Sequence, residues 1–168
     1  MSKYINISKD AINPQWNNIT HAVADRVFGK KKSREYDDIV VDFQNALEYH
    51  AGWASTPGES IDPIYTRGEM DAIRHYYGPK LMAEEAGFLS SAAMSFGHEL
   101  QVMQKWSEGG KEDFMNNYTS LYDYWKEKGP SGKDFYELMR GGEHMDVDTF
   151  KEYANYALDK AMIPEEDY

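Results

Sequence analysis

The chain has 168 residues, the length of one domain at roughly 100–200 residues apiece. Lys and Arg number 18 against 29 Asp and Glu, a net charge of −11; that sign repels phosphate backbones and anionic lipid, so a broad basic face for nucleic acid or membrane is excluded. Cysteine is absent, which removes disulfides and thiolate metal sites from consideration.

Leu, Ile, Val and Phe together number only 29, a share that with this charge would by itself point toward disorder. However, 13 Tyr, 9 Met and 4 Trp supply a second store of large side chains, enough to fill a core, so a folded domain is expected. Met1–Asp10 carries no apolar signal region, and no stretch approaches the roughly 18 apolar residues of a spanning helix. The expectation is therefore no membrane insertion, and a cytoplasmic location or packaging or delivery by non-Sec machinery.

In chain order, Asn13-Pro14 offers a cap and a first-turn proline, and Trp16, Ile19, Val23 and Val27 then recur at helical spacing up to Gly29. Lys30-Lys31-Lys32-Ser33 reads as a connector. Tyr36, Ile39, Val40, Phe43 and Leu47 define a second helix ending near Gly52. Trp53–Arg67 holds Pro57-Gly58 and Pro63 without a period and reads as a long surface loop, a class that is often functional. Thr66-Arg67-Gly68-Glu69 fits a capping box. The helix it opens runs through Met70, Ile73 and Tyr77 and, if it passes Pro79, should kink where the missing amide faces the carbonyl of His75. Gly87 stops it. Further helices are expected over Leu89–Trp106, broken by Gly109-Gly110, then through Phe114, Tyr118, Leu121 and Trp125 to Gly129-Pro130, near Lys133–Arg140, and over Thr149–Met162. Only Tyr4–Ile7 alternates like a strand. The fold class is all-α: one bundle of about six to eight helices, a single domain over 1–168, with the chemistry-bearing region at about 66–120.

Asp71 and His75 stand four apart, so on a helix they share a face and the carboxylate could orient the imidazole; the alternative is a solvated surface ion pair. Arg74 is adjacent, a quarter-turn away. Gly97-His98-Glu99 lies in a strongly apolar helix, and Glu99 falls on or beside its buried stripe, where a carboxylate needs a partner or a raised pKa. Arg74 and His75 are candidate partners. The spacing leaves open a structural bridge between helices and a general acid/base in a semi-apolar cleft. Asp113, with Asn116 and Asn117 behind it, reads either as the cap of the next helix or as part of a set whose amides orient water or an oxyanion. His21, His50 and His144 are assigned no role.

The order Asp71-Ala-x-Arg74-His75, Gly87, Gly97-His98-Glu99, Asp113-x-x-Asn116-Asn117 resembles a helical domain family of uncharacterised function found in phage proteins and in C-terminal domains of bacterial polymorphic toxins. The resemblance covers about residues 66–120 and implies a shared polar cluster of Arg74, His75, His98, Glu99 and Asp113 or Asn117; it implies no particular reaction. Pro79 departs from the pattern, which has an ordinary helix residue there.

His98-Glu99 is followed by Leu-Gln-Val-Met, so there is no HExxH. A P-loop, Gly-x-Gly-x-x-Gly, Gly-x-Ser-x-Gly and the EF-hand pattern are also missing. Histidines and carboxylates would suit a divalent metal, although no recognised ligand spacing indicates one. The first functional expectation is a small helical hydrolase. His75, oriented by Asp71, shares acid/base work with Glu99 beside His98 and Asp113; Arg74 binds an anionic group and Asn117 positions water or a small-molecule or polymer substrate. The second is a non-catalytic virion component, or an acidic interaction module for a protein with a basic face.

Overall fold

The computed structural model describes residues 25–52, 63–103 and 108–163, with side chains placed except at 96–103, 108–110 and 143. Among these residues the chain is all helical, with no strand: α1 (Lys30–Ala51), α2 (Arg67–Ala86), α3 (Phe88–Met103), α4 (Glu108–Trp125), α5 (Gly132–Met139), a 3-10 turn (Gly142–His144) and α6 (Val147–Lys160). None of these helices is long and apolar enough to cross a membrane. The helix expected over Asn13–Val27 and the alternating Tyr4–Ile7 lie wholly or mostly outside the described residues, as does most of the Trp53–Arg67 loop.

Two boundaries differ from the expectation. Lys30–Ser33 is not a connector but the first turn of α1. Lysine is a good helix former on an exposed face, and the break falls one residue earlier, at Gly29, whose φ of 79° suits glycine. Gly109-Gly110 does not interrupt a helix either; both glycines sit inside the first turn of α4, which begins at Glu108. The roughly 1 kcal/mol that each glycine costs a helix interior is offset by the packing of α4 on α2 and α3. This shift by one turn moves Asp113 from a capping position into the helix body.

α2 is the axis of the molecule and touches each of the other five α-helices. Its start follows the sequence: the Thr66 hydroxyl accepts from the Glu69 amide at 3.1 Å and the Glu69 carboxylate accepts from the Thr66 amide at 3.0 Å, a complete capping box. The helix runs on through Pro79, and the Ser91 hydroxyl of α3 donates to the Pro79 carbonyl at 2.7 Å. Gly87 ends it with a φ of 94°.

On one side of α2 lies an apolar core of Phe43 and Leu47 from α1, Ile73, Tyr77 and Leu81 from α2, Phe135 and Met139 from α5, and Phe150 from α6. The Phe135 ring is its hub, 4.5 Å from Tyr77, 5.3 Å from a stacked Tyr153 and 5.6 Å from Phe150. Aromatic rings thus do the filling that aliphatic side chains are too few to do. α5 meets α2 backbone to backbone: a Cβ on Gly132 would lie 2.5 Å from the Leu81 nitrogen and 2.7 Å from the Tyr77 carbonyl, so only glycine fits.

On the other side, α2 meets α4 along a polar seam. The Tyr76 hydroxyl donates to Asp123 at 2.8 Å and the Ser120 hydroxyl donates to the Tyr76 carbonyl. Lys80 is buried and uses all three ammonium donors, on the Lys128 carbonyl at 2.7 Å, the Pro130 carbonyl at 2.9 Å and the Tyr76 hydroxyl at 3.2 Å. Burial lowers the Lys80 pKa although Asp123 and Glu84 pull the other way. Asn116, on a different face of α4, holds the Met162 backbone with two bonds of 2.7 Å.

Candidate functional site

The seam continues toward the N-terminal end of α2, where a second charged group sits closer to the surface. Residues 113, 117, 120 and 124 recur at helical spacing on α4 and face 75, 76 and 83 on α2. At its far end His75 Nδ1 lies 3.0 Å from Asn117 Oδ1. An amide oxygen accepts, so Nδ1 carries the proton and donates, and Nε2 is the nitrogen turned toward the acids. Nε2 lies 3.6 Å from Asp71 Oδ1 and 3.5 Å from Asp113 Oδ1, with Arg74 Nη2 3.4 Å away. Arg74 also pairs with Asp71 one turn below it.

Burial grades across this group. Asn117 is buried at 3% exposure, the His75 side chain is 12% exposed, and those of Asp113, Asp71 and Arg74 are 20%, 28% and 37% exposed. The imidazole is therefore anchored in the interior while the carboxylates reach water. Burial works to raise the Asp71 pKa, but the Arg74 guanidinium, the His75 ring and a hydrogen bond from the Asp113 carboxyl outweigh it and the net shift is downward, so Asp71 stays ionised.

Beside the cluster, a cleft of about 380 Å³ opens between α1 and α2. Its walls are Gln44, Leu47 and Glu48 from α1 and Arg67, Met70, Asp71 and Arg74 from α2. Asp71 and Arg74 belong to both cluster and cleft. Glu48 is half-buried there, and burial raises its pKa against the opposing pull of Arg74 and Arg67.

The sign of that shift makes a test. The folded chain favours the protonated Glu48 acid, so Glu48 adds stability below its unfolded pKa, and that contribution is lost as pH rises through the folded value. Glu48→Gln, which keeps the shape without the charge, is expected to raise the thermal midpoint at pH 7. The difference from wild type should shrink as the pH drops below the carboxylate range, and melting curves at pH 7 and pH 4 check it.

Comparison with protein-family models, curated proteins and solved structures returns no match for this chain. The site therefore stands on its own geometry.

Of the candidate residues, Asp71, Arg74, His75, Asp113 and Asn117 come together. Asp113 is not a helix cap; it is the sixth residue of α4, which places it and Asn117 on one face. His98 and Glu99 fall in α3 but their side chains lie outside those described; among the described residues the carboxyl groups near His75 are those of Asp71 and Asp113. Arg67, Gln44 and Glu48 add a cleft wall the spacing did not single out. The signal was present in α1, where Gln44 and Glu48 stand four apart beside the apolar Phe43 and Leu47.

Proposed function

We propose that this chain is a small helical hydrolase, of the phage and polymorphic-toxin type that its Arg74-His75, Gly97-His98-Glu99 and Asp113-x-x-Asn116-Asn117 segments resemble, acting on a substrate with an anionic group. One observation carries this reading: an imidazole fixed from behind by a buried amide turns its second nitrogen onto two acids, one of which, Asp71, lines a cleft that also holds two arginines. A neutral Nε2 in that setting takes a proton from water as the water attacks an acyl or phosphoryl centre, then returns it to the leaving group. Asp71 and Asp113 favour the transient imidazolium. Arg67 and Arg74 hold a carboxylate or phosphate of the substrate, for which the guanidinium fork is suited. Leu47 and Met70 take an apolar portion.

A panel of carboxylate- and phosphate-bearing esters, amides and phosphoesters tests the proposal. His75→Gln is expected to slow turnover by about 10²–10⁴-fold, while Arg67→Ala raises KM with a smaller effect on kcat. No turnover in any of these classes, or full rates in His75→Gln and Asp113→Asn, overturns it.

A second reading has its own support. Tyr118, Tyr122 and Trp125 are 54%, 40% and 65% exposed on α4, with the Tyr118 and Tyr122 rings stacked at 6.4 Å. An exposed aromatic stripe on a chain of net charge −11 suits a non-catalytic virion component or an interaction protein for a basic partner. The polar cluster would then only tie α2 to α4, and His75→Gln should cost about 3–5 kcal/mol of stability. A near-neutral melt with lost turnover favours the hydrolase.

A further inference from the structure

We propose that Asp71 Oδ1, His75 Nε2 and Asp113 Oδ1 are the protein ligands of a single divalent metal ion of the zinc or manganese kind. One donor atom from each of the three residues lies within 4.8 Å of the other two, and Nε2 is 3.6 Å from Asp71 Oδ1 and 3.5 Å from Asp113 Oδ1. An ion bound about 2.1 Å from two ligands at a tetrahedral angle sets those ligands about 3.4 Å apart. The imidazole is thus already spaced from each acid as along an edge of a coordination polyhedron.

The surroundings match as well. Metal-bound imidazoles donate their second N–H to an outer partner that fixes the tautomer, and buried Asn117 does this for His75 at 3.0 Å. Asp71 and His75 come from adjacent turns of one helix and Asp113 from another, and the Tyr76 and Ser120 hydrogen bonds hold those two helices in register. Two carboxylates and one imidazole without a thiolate select a borderline or hard divalent ion over a soft one, and the two acids balance its charge once the proton between them is released. Arg74 now supplies positive charge at this point, through its pair with Asp71 and its approach to Nε2. Its side chain is 37% exposed and lines the cleft, so it has a path away from the acids, and the side it leaves open faces the cleft.

The consequence of this inference, though not the binding, rests on the hydrolytic reading: a divalent ion here would supply the water activation otherwise assigned to the imidazole. Calorimetric titration of the full chain with Zn²⁺, in excess Mg²⁺ to occupy scattered surface carboxylates, tests it. One site per chain is expected. His75→Gln and Asp113→Asn should each weaken binding at least about 100-fold, and Asn117→Ala about 10–100-fold. Arg74→Gln should tighten it, because the guanidinium competes for Asp71. Melting curves of each variant separate loss of a ligand from loss of the fold. No saturable site in wild type and Arg74→Gln, or unchanged affinity in His75→Gln and Asp113→Asn, overturns the inference. Absent binding with retained hydrolysis sinks the metal site alone, and binding without turnover of any substrate sinks the hydrolase alone.

Discussion

Replacing Lys80 with alanine is expected to destabilise the fold by about 3–5 kcal/mol, the range for removing one member of a buried charged network. The ammonium group is buried and spends its donors on the Lys128 and Pro130 carbonyls and the Tyr76 hydroxyl. Without it, two carbonyls of the α4–α5 connection lose their donor, and Asp123 keeps its bond from Tyr76 but loses the cation that balances it. Each buried polar group so stranded costs about 1–3 kcal/mol. Lys80→Met separates the causes: it keeps the apolar stem and removes only the charge and donors, so a loss close to that of alanine assigns the effect to the network. The measurement is the shift in the urea midpoint at unchanged slope.

Phe135→Ala is expected to cost a similar amount, about 3–5 kcal/mol, for a different reason. Phe135 is fully buried and its ring meets Phe43, Tyr77, Phe150 and Tyr153, which come from three other helices. Truncation leaves a void lined by rigid rings. Such rings relax into a gap less readily than aliphatic chains do, and the cost of a cavity grows with the volume left unfilled. Phe135→Leu should recover much of the loss, since it refills part of that volume. Urea midpoints of the two variants check the ordering.

The parts of this molecule that could be read from the chain are those governed by local spacing. The capping box at Thr66 and Glu69, the stop at Gly87 and the helical periods of α1, α2, α4, α5 and α6 are short-range features, and each appears within a few residues of its expected place. The Asp71–His75 face followed from the same rule. Gly109-Gly110 misled because propensity is a weak term that tertiary packing overrides; the error hid the fact that Asp113, Asn117 and Ser120 form one polar stripe. Lys80 illustrates the opposite difficulty. A lysine four residues after Tyr76 looks like a solvated side chain, and only the return of the chain at Lys128 and Pro130 turns it into a buried strut. Contacts between residues 48 and 50 positions apart leave no periodic trace. The cleft was invisible for the same reason, because its two walls are separated by the Trp53–Arg67 stretch.

The bare approach at Gly132 fixes which parts of the molecule are free to shift. With no side chain between the α2 and α5 backbones, neither helix has a deformable layer on which to slide, and Phe135, three residues on, locks the pair further into the ring cluster. The two helices behave as one rigid block. α1, by contrast, lines its side of the cleft with Gln44, Leu47 and Glu48, and the half-buried Glu48 side chain rotates without breaking backbone contacts. Any widening of the cleft is therefore absorbed on the α1 wall, while Asp71, Arg74 and His75 keep their places along α2.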